Sequence, residues 1–192
     1  MKKYFNQFLA LGLISSAFVL SSCEGDGGIP VSIPQTIEHV FTLPASPDSF
    51  FTVVQEVSGN IDSILEANNA SRENLESIFV LGAFMIEIDS NGLPVNEFAP
   101  IDTIKVLVGD LSQPVSQDSL LAYIPRFGAY ATDSLDQGFV SLRLSSTTID
   151  LVPYTAKPKY RITIKGNANA PLTAPKRFML RLNTSMRVYI AG

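Results

Sequence analysis

Alternation of apolar and polar residues is clearest near the end of the chain, where two segments keep a strict period of two. In the first, Lys157, Lys159, Arg161 and Lys165 take odd positions while Tyr160, Ile162 and Ile164 take even ones. In the second, Arg177, Arg181 and Arg187 are odd while Phe178, Leu180, Leu182, Met186, Val188 and Ile190 are even. Side chains of a strand alternate between faces, so each segment predicts a half-buried antiparallel strand with bases on its outer face. Should the two pair, seven bases share one surface.

Further apolar runs predict strands at Ile37–Leu43, Phe50–Val57, Ile78–Ile88, Ile101–Val108, Leu120–Ile124, Phe139–Leu144 and Thr147–Val152. Pro44, Pro47, Pro94, Pro114, Pro125, Pro153, Pro158, Pro171 and Pro175 fall between these runs or at their edges, as expected of a residue with no N–H to give to a ladder. Ile78–Ile88 is apolar on both parities up to Glu87, the mark of a central strand covered on both sides. Residues 60–77 predict instead two short helices, or a helix and a loop: Asn60 caps a turn in which Ile61, Ile64 and Leu65 share a face, and Ser71 caps a second with Leu75 and Ile78. The expected fold is all-β, a two-layer antiparallel β-sandwich of Ig-like or transthyretin-like size with a short helical insertion over residues 37–192.

Before that domain, residues 24–36 read EGDGGIPVSIPQT, rich in glycine and proline, and predict a flexible tether over residues 23–36. The first 22 residues carry Lys2 and Lys3, then an apolar run from Phe8 to Leu20, then Ser21, Ser22 and the only cysteine, Cys23. Leu20-Ser21-Ser22-Cys23 resembles the lipobox of bacterial lipoproteins, which implies that residues 1–22 are a signal peptide and that Cys23 bears the lipid. The layout as a whole resembles surface-exposed, single-domain β-sandwich lipoproteins of Gram-negative bacteria. One acyl chain gives only marginal membrane binding, so the several chains implied at Cys23 matter for a lasting anchor. A lone thiol in an oxidising compartment is unusual, and acylation would consume it. Glu24 and Asp26 resemble the export signal of lipoproteins that reach the outer face of the outer membrane. The expected localisation is therefore the outer membrane, most simply the cell surface, with the periplasmic leaflet as the other option. The longest later apolar run falls well short of the roughly 20 residues that a spanning helix needs.

Charge is distributed unevenly. The formal net charge is −4, yet all 18 acids precede Leu151 and eight bases follow it. Either acidic strands neutralise the basic ones, each cross-strand pair contributing about 0.2–1 kcal/mol, or the basic face meets an anionic glycan, lipid or envelope protein. The first reading is favoured, because charged strand faces are usually solvated or paired. Residues of the candidate binding face are Lys159, Arg161, Lys165, Arg177, Arg181, Arg187 and the outward Tyr189. Nucleic acid is not an expected partner for an exported acidic chain.

Candidate chemistry is sparse. Asp89-Ser90-Asn91-Gly92, with Asn96 and Glu97, has the oxygen density of a calcium loop, but the glycine is misplaced for an EF-hand, and Asn91-Gly92 predicts a type I′ turn. His39, the single histidine, has too few companions for zinc, and no Gly-x-Ser-x-Gly elbow supplies a serine for a triad. Glu73 with Glu76 and Asp110 with Asp118 are the carboxylate pairs a glycan hydrolase would need. With no tryptophan, Tyr123, Tyr130, Tyr154 and Tyr189 are the rings left to stack on sugars. Asp62-Ser63-Ile64, Asp102-Thr103-Ile104, Asp118-Ser119-Leu120 and Asp133-Ser134-Leu135 resemble an O-glycosylation acceptor of some anaerobic Gram-negative bacteria. No metal or other cofactor is expected. The function these features favour is a lipid-anchored, non-enzymatic binding or assembly module of the envelope, with a carboxylate-dependent glycan hydrolase and a structural protein contacting anionic lipid or lipopolysaccharide as alternatives.

Overall fold

The computed structural model describes residues 28–46, 48–59, 61–95, 101–124 and 141–190. Segment 1–22, Cys23, Asn96, Glu97, Tyr130 and Asp133-Ser134-Leu135 lie outside them. The described residues form eight strands: β1 (Ile29–Leu43), β2 (Phe50–Ser58), β3 (Leu75–Ile88), β4 (Ile101–Gly109), β5 (Ser119–Ile124), β6 (Ser141–Ser146), β7 (Lys159–Ala168) and β8 (Lys176–Ile190). Two short helices accompany them, α1 (Ile61–Ala67) and α2 (Val152–Thr155). Among the described residues no helix is long and apolar enough to cross a membrane.

All strand pairs are antiparallel, in one sheet of order β1-β8-β3-β6-β5-β4-β7-β2. The pairings nest, first with last: β1 with β8, β2 with β7, β3 with β6 and β4 with β5. A ribbon doubled back in this way and then rolled brings β3 against β8 and β4 against β7, which is the order of a jelly roll. The all-β antiparallel expectation holds. Its connectivity is not the Ig-like one, in which the first two strands are neighbours; here β1 and β2 are the two free edges. Nor are there two separate sheets, because β5 and β6 join the halves through Ala122↔Ser146 and Tyr123↔Ser145.

Inward side chains of both halves meet in one core. Phe41 of β1 stacks on Phe178 of β8 at 5.6 Å between ring centres, and Leu43, Met85, Ile104, Ile164 and Leu180 are fully buried. Each such side chain contributes about 1.5–3 kcal/mol on leaving water. The period of two read in β8 holds, with Phe178, Leu180, Leu182, Met186 and Val188 buried. β3 is central, but the double cover expected from Ile78 onward holds only for its final stretch Met85–Ile88, since Phe79 and Leu81 are exposed on one face.

Further expectations need correction. The tether does not extend to residue 36, because β1 begins at Ile29 and pairs with β8 from Ile29↔Ile190 onward. An edge strand bonds on one side only, which accommodates Pro30 and Pro34, and Val31 and Ile33 continue the inward parity of Ile37, Phe41 and Leu43. Thr147–Val152 is not a strand: the Asp150 carboxylate accepts from Ile78 N (2.9 Å) and Val152 N (3.0 Å), stopping the chain against β3 and opening α2. The turn at Asp89–Leu93 forms, but not as type I′, since Gly92 (φ 82°) takes the left-handed conformation while Asn91 does not. The helical reading of residues 60–77 holds as α1 and a 3-10 turn at Arg72–Asn74, separated by Asn69 at φ 55°, but Leu75 and Ile78 belong to β3 rather than to a second helical face, and the expected cap Asn60 lies outside the described residues.

Candidate functional site

Where the two free edges approach, a cleft of about 460 Å³ opens between β1 and β2, closed at one end by α1 and α2. Its origin lies in the inward parity of the edge strands. On β1 the inward series Ile33, Ile37, Phe41 and Leu43 is interrupted by the half-buried Gln35 and His39; on β2 the series Phe51, Val53 and Val57 is interrupted by Gln55. His39 Nε2 and the Tyr160 hydroxyl of β7 lie 3.2 Å apart, a hydrogen bond between opposite halves of the sheet, with the rings edge to face. Burial pushes the imidazole below its ordinary value of 6.5 and the phenol up to about 12, so both groups are neutral near pH 7. Beneath them Val57, Ile61, Ile78 and Met186 are buried and apolar. On the rim stand Glu38, bonded to Arg181 at 2.8 Å, and Glu56, paired with Lys159.

The shared basic face does not form. β7 lies between β4 and β2, and β8 between β1 and β3, so the two basic strands occupy opposite halves of the sheet. Acids on neighbouring strands or loops meet most of the bases: Lys159 with Glu56, Arg161 with Asp118, Arg181 with Glu38, and Arg187 with Glu76 at 2.9 Å. Lys157 pairs with Asp110, and Lys176 with Glu87 at 2.9 Å. Arg177 donates to the carbonyls of Asp89 (2.9 Å) and Ser90 (2.7 Å). Lys165 is half-buried, in register with Lys105 and Thr52, and Tyr189 is half-buried opposite Pro30 rather than projecting freely. These pairs support neutralisation across strands.

Arg161 is the sharpest departure from the expected outward base. Its side chain is 7% exposed and that of Asp118 is wholly buried. Asp118 Oδ2 accepts from Arg161 Nε (3.0 Å) and Thr163 Oγ1 (2.8 Å), and Arg161 Nη2 also donates to Asp118 and to the Gln113 carbonyl (3.0 Å). The segment after β4 thus folds back over the outer face of β7. Room for it comes from Gly109, where any Cβ would collide with the Asp118 carboxylate. Burial pushes the Asp118 pKa up, but the donors Arg161 and Thr163 outweigh it and hold the carboxyl below its ordinary value. Asp110 is also depressed, to about 2, chiefly by Lys157 and by the Ser112 N–H.

The other candidates are now placed. Asp110 and Asp118 are each engaged by a base, and Glu76 is held by Arg187. Asp89 uses its carboxylate on the N–H groups of Asn91 and Leu93 (2.8 Å each), closing the turn, and among the described residues no cluster of three metal-ligating side chains occurs. Tyr154 shares a hydrogen bond of 2.9 Å with Ser119, and Tyr123 is half-buried on β5. Of the four acceptor-like tripeptides, Ser63 is exposed on α1, whereas Thr103 and Ser119 are half-buried. Sequence reading placed His39 in a strand but missed the cleft. The usable signal was His39 and Gln55 sitting on the apolar parity of their strands.

No protein-family model matches the chain, and no curated protein matches it. Among solved structures, turnip yellow mosaic virus is similar at 15% identity and TM-score 0.32, over 85% of this chain and 98% of that one. Desmodium yellow mottle tymovirus follows at 12% identity and TM-score 0.24, over 100% and 98%, and the 60-mer BFDV capsid protein at 11% identity and TM-score 0.33, over 88% and 98%. At such scores the likeness carries neither a fold nor a function to this chain.

Proposed function

We propose that the chain is a lipid-anchored binding module of a bacterial outer membrane, held by acyl chains on Cys23, and that it captures a small ligand in the cleft between β1 and β2. The observation that carries the binding reading is the cleft itself: about 460 Å³, with its histidine and a buried tyrosine hydrogen-bonded to each other in its lining. Its size lies within the range of about 300–1,000 Å³ typical of small-molecule sites. Contact rather than turnover is supported by the engagement of Asp110 and Asp118 in ion pairs, since a catalytic acid needs a raised pKa and these two are depressed.

The anchor is tested by radiolabelled palmitate incorporation in wild type and Cys23→Ala. Labelling confined to wild type is expected, and equal labelling removes the anchor. Binding is tested by native mass spectrometry of the chain released from envelopes, where a small-molecule adduct should be present in wild type and absent from Ile64→Trp, which fills the cleft from α1.

A glycan hydrolase is favoured by one observation, that Glu38 and Glu56 line opposite edges of the cleft. Each is already bonded to a base, an arrangement better suited to holding charge than to donating a proton. Release of reducing ends from polysaccharide by wild type but not by Glu38→Gln would establish that alternative. A structural role through contact of a basic face with anionic lipid has less support, because β7 and β8 are not neighbours and most of their bases pair with acids.

A further inference from the structure

We infer that the cleft takes a small neutral amphiphile, with an apolar body of one ring or a short chain and a single hydroxyl or amide group that bonds to the His39–Tyr160 pair. This deepens the binding reading above and rests on it.

Three features of the cleft converge on that class. Its base is apolar, with Val57, Ile61, Ile78 and Met186 each no more than 6% exposed, so a ligand body gains by leaving water. A neutral imidazole has one donor and one acceptor nitrogen, and a phenol hydroxyl can both donate and accept. Their mutual bond consumes one donor and one acceptor, leaving one of each, which a hydroxyl or amide can match and a hydrocarbon cannot. Both residues line the cleft, and Gln55 adds a further amide beside them.

Charge is excluded by the same surroundings. The rim carboxylates Glu38 and Glu56 are matched by Arg181 and Lys159, so the mouth offers neither sign an unmatched partner. Inside, burial already disfavours the charged forms of His39 and Tyr160. A carboxylate or ammonium on the ligand would meet the same cost of leaving water without a partner.

The single histidine provides the readout, because all imidazole NMR signals of the chain belong to His39. The full lipidated chain, labelled with ¹³C-histidine and held in phosphatidylcholine nanodiscs, is titrated with benzyl alcohol, benzoate and benzylamine; empty nanodiscs correct for partitioning. Benzyl alcohol should shift the His39 signals saturably, with benzoate and benzylamine at least tenfold weaker. Tyr160→Phe should weaken benzyl alcohol at least fivefold, and Ile64→Trp, at the periphery of the cleft, should abolish the shift while leaving a cooperative melt. Benzoate or benzylamine binding as tightly as benzyl alcohol would overturn the neutral class while leaving the cleft a binding site. Unchanged benzyl alcohol affinity in Tyr160→Phe would overturn the role of the hydrogen-bonded pair. If no probe moves the His39 signals, the cleft itself is not a site and the binding reading falls with it.

Discussion

Two polar clusters inside this sheet behave in opposite ways. On the outer face of β4 and β7, Arg161, Asp118 and Thr163 are packed to closure, with Asp118 fully buried and three donors on its two oxygens. Between β1 and β2, His39 and Tyr160 form one hydrogen bond and border an open volume of about 460 Å³. The first cluster holds full charges and leaves no space; the second holds neutral groups and leaves hydrogen-bonding capacity. Buried charge is tolerated only when fully matched, so a satisfied ion pair marks structure, whereas a neutral polar pair facing a void can serve a ligand.

That contrast can be broken by substitution. Asp118→Ala strands a guanidinium that is 7% exposed, and should lower the unfolding free energy by about 3–5 kcal/mol in urea denaturation. A loss no greater than that of a surface substitution would mean the cluster is not closed. Gly109→Ala drives a methyl into the Asp118 carboxylate and should cost about 1–3 kcal/mol by the same assay. On the other side, Tyr160→Phe removes one hydrogen bond beside a cleft that water can enter, and should cost only about 0.5–1.5 kcal/mol.

Acid should separate the clusters by pH window. The depressed carboxyls of Asp118 and Asp110 add stability that is complete above their ordinary value of 3.8 and is lost as pH falls toward their folded values, about 2 for Asp110. His39, lowered by burial, is instead a base that the unfolded chain protonates first, so stability should begin to fall as pH drops below 6.5. Melting profiles of His39→Gln should lose the earlier decline and keep the later one, whereas Asp118→Asn should keep the earlier one and shrink the later one to the part that Asp110 supplies. Identical profiles for both variants would remove the distinction. The smallest effect is expected from Asp62→Ala, which breaks an exposed pair with Arg72 and should leave the melting temperature within replicate scatter.

Much of this molecule was legible locally. The inward parity of β8, the covered stretch of β3, the short helix at Ile61–Ala67 and the turn before Leu93 all follow from residues within a few positions of one another. Alternation tells which face a strand buries, and Gly92 tells where the chain can turn. Partners are another matter. Ile29 pairs with Ile190, at the far end of the described chain, and the basic strands β7 and β8, adjacent in sequence, part into opposite halves. Both outcomes depend on how the doubled ribbon rolls, which no local period records.

The site followed the same division. Residue by residue, the chain determined that His39, Gln35 and Gln55 occupy apolar positions and that bases crowd its last third. Only the tertiary structure decided that His39 and Gln55 line one cleft between the free edges, and that Asp118 reaches back to bury Arg161. The reason is physical: side-chain alternation is set by backbone geometry within one strand, whereas the pairing of charges and the opening of a cleft are set by contacts between strands far apart in the chain.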